Sequence, residues 1–405
     1  MGLLDRFDFF DPEVTRDPYP AFAELREHAP LFWVERLGTY VITRYEDVFF
    51  ALKNPALFSS TGLRIAGQPL GSFSQHDGPQ VSNLVHSDPP MHTKMRNRLL
   101  RAFTPKRISA LEPRVRELSR GFVSEMTAQD EFDLMEGLAH PLPTVIIAEL
   151  LGIEPARRRD FKRWSDTLIQ ATNTSMRTGK QPEEVVRSAE EMLSYMKQVA
   201  EERRREPRGD LISLLVRETD GVAALSPQEV NSFTVLLLIA GNETTTNLLG
   251  NALAALIRNP EAYARLREDP SPAACAAVCE ETLRYDSPVV GLFRRTTQEV
   301  ELSGGKLPAQ STVFVLMASA NHDPHKFPDP DRFDPRRDTT GFLSFGHGIH
   351  FCLGAPLTRL EAPVALQELM ERAPRLGFAP RQPEALDYGG AFLLRGPKSL
   401  WLQKQ

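Results

Sequence analysis

The chain has 405 residues, 41% of them hydrophobic and 25% charged, with a formal net charge of -5. That balance is ordinary for a globular protein, and it excludes nucleic-acid binding driven by overall charge. Three cysteines are too few for a disulfide framework, no apolar run reaches the roughly 18 residues of a membrane span, and the start lacks a signal-peptide pattern; a soluble, cytoplasmic protein without a membrane anchor is expected.

Pro18-Tyr-Pro20 opens a short amphipathic helix to about His28. Residues 32–34 and 39–43, joined through Leu37-Gly38, predict a β-hairpin, and 47–52 a further short helix. From 58 to 85 the chain is rich in Ser, Gly, Gln and Pro without periodicity, the pattern of a long lid-like loop. Helical patterns follow over 91–103, 111–126, 141–151, 158–170 and 182–204, with a second lid candidate at 171–181. Ser226-Pro-Gln-Glu229 is a capping box that starts a helix running to Arg258. Asn259-Pro260 and Ser271-Pro272 open two more helices, and 300–302 and 311–317 are strand-like. The pattern predicts one mainly α domain over 1–405. It has a small β portion at about 30–60 and 295–320 and a helical core at about 91–290 and 352–371.

Two stretches carry chemistry. The first is Phe342-Leu-Ser-Phe-Gly-His-Gly-Ile-His-Phe-Cys352-Leu-Gly354, which leads into a helix from Ala355 to about Met370. Gly346, Gly348 and Gly354 permit positive φ and close backbone approach, and amides at a helix start favour negative charge on the Cys352 sulfur. Three readings stand: a buried free cysteine, a zinc site with His347 and His350, or a thiolate facing a flat macrocycle such as haem. The second stretch is Ala240-Gly-Asn-Glu-Thr-Thr245, in the middle of the long apolar helix. Gly241 costs about 1 kcal/mol against alanine there, and threonine hydroxyls bond back to the preceding turn. Solvent-facing threonines beside a packing glycine are one account. The other is a widened turn that holds dioxygen, with Thr244 and Glu243 as a proton-delivering pair.

With Glu281-Thr-Leu-Arg284 added, these motifs resemble the cytochrome P-450 family of haem-thiolate monooxygenases in its soluble bacterial form. The run 345–354 matches the haem-binding signature, 240–245 the oxygen-activation motif and 281–284 the Glu-x-x-Arg motif, with Arg337 standing where the family completes a triad. The resemblance covers essentially the whole chain. It implies a cytochrome P-450 fold holding haem b (iron protoporphyrin IX) between the long distal helix and the cysteine loop. Cys352 would be the proximal iron ligand, among Phe345, Gly346, His350 and Gly354. Ala240, Gly241, Glu243 and Thr244 would line the distal face, and His92, Arg96, Arg294 and His350 would hold the propionates. Glu281, Arg284 and Arg337 would brace the loop. The implied pocket is formed by Leu237, Thr245, Val289, Val290, Leu292, Phe293, Phe392 and Leu393 with the two loops, for a mainly hydrophobic fatty acid, terpenoid, steroid or polyketide.

The implied reaction inserts one atom of O₂ into a C–H bond or a double bond and releases the other as water. Electrons would come from an NAD(P)H-dependent ferredoxin reductase through a ferredoxin docked on Arg98, Arg101, Lys106 and Arg107, and the protein is expected to be a monomer. The Glu-Thr pair argues against a peroxide-driven peroxygenase. A haem sensor or carrier without turnover is the rival from another class. Cys275 and Cys279, one turn apart among alanines, look like packing residues. His322 departs from the family's usual arginine, and Ser399-Leu-Trp-Leu from its usual ending.

Overall fold

Ser226 starts the longest of the described helices. Its hydroxyl accepts from the Glu229 amide while the Glu229 carboxylate accepts from the Ser226 amide, and Pro227 needs no donor in the first turn. The helix then runs over Pro227–Arg258, 32 residues, and stays α-helical through the Gly-Asn-Glu-Thr segment, without the expected widened turn. The computed structural model describes residues 7–65, 68–69, 83–157, 159–165, 167, 183–218, 223–389 and 392–405. All of the 171–181 loop and most of the 58–85 loop lie outside them.

Around the long helix pack Pro141–Leu151, Glu183–Arg205, Pro272–Tyr285 and Ala355–Arg372, and Glu112–Met126 packs on the last of these. Pro260–Glu268 follows the long helix after Asn259. Apolar residues from these helices form one large core that includes Leu138, Ile147, Leu238, Leu253 and Leu366, all essentially inaccessible. Among the described residues no helix is long and apolar enough to cross a membrane.

The β portion is a five-stranded sheet in the order Leu31–Val34, Thr39–Ile42, Thr312–Val315, Leu292–Thr296, Phe58–Ser59. The predicted hairpin is its first pair, with Leu31 opposite Ile42, and Gly38 takes the left-handed turn at φ 58°. The strand Leu292–Thr296 is the piece the pattern underestimated, because its two arginines hide a sheet interior. Alternation sends Phe293 to one face and Leu292 and Arg294 to the other. On the first face Phe9, Phe22, Phe293, Phe314 and Phe392 make an aromatic cluster against the N-terminal segment; on the second, Leu292 and Val289 pack beside Leu343 of the cysteine stretch. Short strands Glu131–Asp133, Leu376–Phe378 and Trp401–Lys404 form a separate sheet that the sequence pattern did not reveal.

Candidate active site

The cysteine loop closes on itself by backbone bonds: the Gly346 amide donates to Leu343 O (2.7 Å) and the Cys352 amide to Phe345 O (2.8 Å). Asn321 Oδ1 accepts from the Leu343 amide and Ser344 donates to Leu283 O, which moors the loop to its neighbours. Gly346 and Gly348 both sit at φ 69°, and a Cβ on Gly348 would lie 2.7 Å from Leu52 O. Gly354 is ordinary in φ, 3.8 Å from the sulfur at its would-be Cβ. Burial pushes the Cys352 thiol up, while the Gly354 and Ala355 amides and the charges of Arg96 and Arg359 pull it down. Arg359 lies over the Phe345 ring at 4.8 Å and is held by Glu280. The loop therefore offers a sulfur surrounded by groups that stabilise negative charge.

The zinc reading fails on geometry. His347 lies against Phe49 with the rings tilted (4.4 Å between centroids) while His350 turns to Ser60 (3.0 Å) and His92 (4.3 Å between rings), and no group of three metal-ligating side chains forms among the described residues.

Beside the loop, the structure gathers a cluster of basic groups. His92 is 1% exposed, and its Nε2 is buried with no hydrogen-bond partner. Arg294 is 4% exposed, and its guanidinium donates to its neighbour's carbonyl, Phe293 O (2.8 Å). Burial lowers it to about 10, and burial followed by the Arg294 charge lowers His86 to about 4 and His350 to about 3. Arg96 donates to Phe351 O (2.7 Å), and burial lowers it too. The acid nearest to these groups, Asp88, is engaged by the Ser60 amide (2.9 Å) and Ser59 hydroxyl (2.5 Å). Desolvated donors in such excess over acids form a receptor for an anion. His86 and Ser60 were missed by sequence reasoning, since they reach the cluster only through the fold.

On the long helix, Ala240 is exposed although Leu238 and Asn242, two residues to either side, are buried, so this face of the helix is open. Thr244 Oγ1 donates to Ala240 O at 2.7 Å, the back-bond its spacing predicts. Glu243 has a buried, partnerless Oε2, and burial raises it to about 7. Gly241 faces the other way: a Cβ there would meet Ile147 Cδ1 at 2.8 Å, so its smallness serves helix packing.

Glu281 and Arg284, both wholly buried, pair at 2.8 Å, Arg337 Nε reaches Glu281 at 3.4 Å, and Arg284 also donates to Asn321 O and Pro330 O. His322 fills the place of the expected arginine, between Asp331 (2.8 Å) and Tyr285 O (2.7 Å).

The pocket prediction needs correction. Val290, Phe293 and Phe392, with Leu393 at its edge, belong to the aromatic cluster on the far face of the sheet. Thr245 is 1% exposed and meets Thr358 of the cysteine helix at 3.5 Å. Val289 and Leu292 remain on the Arg294 face, and Leu237 is buried in the helical core. Of the expected basic patch, Arg98 is tied to Glu229 (3.1 Å), whereas Lys106 and Arg107 are exposed.

A family model described as Cytochrome P450 matches residues 16–271 and 274–383. The chain is 38% identical to Cytochrome P450 107B1 of Saccharopolyspora erythraea over 402 residues, 96% of each chain. The structure of CYP109Q5 from Chondromyces apiculatus aligns with TM-score 0.88 at 43% identity over 98% of both chains. That of CYP109E1 from Bacillus megaterium in complex with testosterone aligns with TM-score 0.84 at 33% identity, over 96% of this chain and 99% of that one.

Proposed function

The chain belongs to the cytochrome P450 family and is a monooxygenase; from that premise we propose how its own residues serve the reaction. The cofactor the family implies is haem, and the residues present fit it. Arg294, His92, Arg96 and His350 form a desolvated, acid-poor cluster suited to two propionates. The Cys352 sulfur, with two amides and two arginines supporting negative charge, suits an axial thiolate. Bound haem b would supply the iron at which O₂ is reduced.

Cys352 would hold the cofactor through its sulfur, where the Gly354 and Ala355 amides favour the thiolate charge. Glu243, poised near 7, holds a proton at physiological pH and can release it. Thr244, back-bonded to Ala240 O, donates on the open face of the helix when its hydroxyl turns away from that carbonyl. Gly241 lets this helix approach Ile147 and so keeps both side chains at the correct depth. Val289 and Leu292 supply apolar walls on the Arg294 face, which favours a hydrophobic substrate of the size that CYP109E1 holds in its complex with testosterone. Electrons come from a ferredoxin and its NAD(P)H-dependent reductase, with Lys106 and Arg107 as the exposed cations of the docking face. The whole chain acts as one domain, a cytoplasmic monomer.

The observation that carries this reading is the Cys352 loop, a sulfur cradled by amides beside a desolvated, acid-poor basic cluster. Its test is Cys352→Ala. The reduced, carbon-monoxide-bound wild type should show the red-shifted band of thiolate-ligated haem, and the variant should lose it; survival of that band would refute the ligand assignment.

A further inference from the structure

Between Gly241 and Glu243 stands a residue the motif leaves open, and here it is asparagine. Asn242 is 3% exposed, yet both ends of its amide are engaged. Nδ2 lies 2.7 Å from the Ser165 hydroxyl, and Oδ1 lies 2.9 Å from Thr144 Oγ1. Thr144 belongs to the helix Pro141–Leu151, and Ser165, itself fully buried, to the helical run 159–165. Thr144 also donates to His140 O at 2.8 Å, and a hydroxyl has a single proton. Every group is satisfied when the amide is turned so that its NH₂ meets Thr144 and Ser165 donates to its oxygen; in either orientation the same three helices are joined.

At about 100° per residue, Ala240 and Thr244 each stand roughly 160° around the helix from Asn242. The amide therefore grips the back of the turn whose front presents Ala240 and Thr244. One turn on, on the same rear face, Thr246 donates to Ala139 O at 2.9 Å, at the end of the π-turn Met135–Ala139. The rear of the motif is thus held at two successive points by hydrogen bonds, and no apolar side chain could reproduce that directionality. Glu243, next to the clamp, has a buried Oε2 with no hydrogen-bond partner among the described residues.

We propose that Asn242 is a positioning residue: by clamping the long helix to Thr144 and Ser165, it sets the rotation at which Glu243 and Thr244 deliver protons. This rests on the proton-delivery reading above. Its consequence is a choice between outcomes, since a mis-set hydroxyl spends electrons on hydrogen peroxide in place of product.

The test uses the haem-loaded protein with its redox partners and a substrate selected by spectral shift. Asn242→Leu keeps the branching at Cγ, in a somewhat larger side chain, and removes both bonds. It should retain the thiolate carbon-monoxide band and the substrate-induced shift, yet raise the ratio of peroxide to product about fivefold, on the order of what a lost buried hydrogen-bond contact is worth. Asn242→Gln, which keeps the amide on a longer arm, should recover part of the coupling. Amide hydrogen exchange over 240–246 should speed up in Asn242→Leu without substrate or electrons present. In a Thr244→Ala background, Asn242→Leu should change the ratio no further. An unchanged ratio in the single variant, or full additivity with Thr244→Ala, would overturn the proposal. If Thr244→Ala itself leaves the ratio unchanged, the proton-delivery reading fails instead.

Discussion

Glu243 and Arg294 are both buried, but burial acts on them in opposite senses. A carboxyl without partners is easier to bury neutral, so Glu243 rises from 4.5 to about 7. The unfolded chain loses this proton near 4.5 and the folded chain keeps it to about 7. Between those values the folded state binds more protons, and stability must fall as pH rises, by at most about 3 kcal/mol from this group. Glu361, raised to about 8 by complete burial, adds a slope of the same sign. Glu243→Gln should therefore flatten, not abolish, the decline of melting temperature across that window, and should be the more stable protein above pH 7; thermal melts at stepped pH read this directly. Among the described residues Arg294 is a buried guanidinium without an acid in contact, which costs stability until an anion arrives. Arg294→Met should accordingly raise the melting temperature of haem-free protein and hasten haem loss from loaded protein. The same change in both forms would argue against a propionate contact.

At the scale of elements, helices were legible because their signals are local. The Ser226 capping box, Pro141 and Pro272 each mark a start within a few residues of the observed one. Strands were less legible: Leu292–Thr296 gains its place from partners more than ten residues away, and two-residue Phe58–Ser59 has no pattern to show. The cysteine loop lies between these cases. Its glycines were visible, but their separate tasks were not. Gly348 combines φ 69° with a would-be Cβ 2.7 Å from the Leu52 carbonyl, a backbone atom that cannot yield cheaply. Gly354 has neither constraint. Gly348→Ala should cost more than about 2 kcal/mol and reduce haem content, whereas Gly354→Ala should stay within about 1 kcal/mol. Denaturant melts and haem-to-protein ratios of the two variants would show whether the loop needs all its glycines equally.

In the molecule as a whole, the site was legible where its residues lie close in the chain and obscure where the sheet decides which way they point. Cys352, Glu243, Thr244 and the Glu281–Arg284 pair all belong to short runs; Glu281 pairs with Arg284 and Thr244 bonds back to Ala240 O, as local spacing dictates. The wall of the pocket depends on strand parity, which a one-residue difference inverts. Leu292 and Arg294 face the cysteine loop, while Phe293 turns to Phe314 at 4.8 Å. Phe392 meets Phe9, Phe10 and Phe314 at 5.6, 5.1 and 5.7 Å, so it fastens the N-terminal segment to the sheet. Two substitutions separate these roles. Phe392→Ala leaves a large hole in a T-shaped aromatic packing and should cost about 3–5 kcal/mol of stability, with substrate affinity unchanged in the fraction that remains folded. Leu292→Ala, on the partly exposed face, should cost less stability and weaken the spectral binding constant of an apolar substrate. If Phe392→Ala instead alters substrate binding at undiminished stability, the far face of the sheet reaches the pocket and the parity argument is wrong.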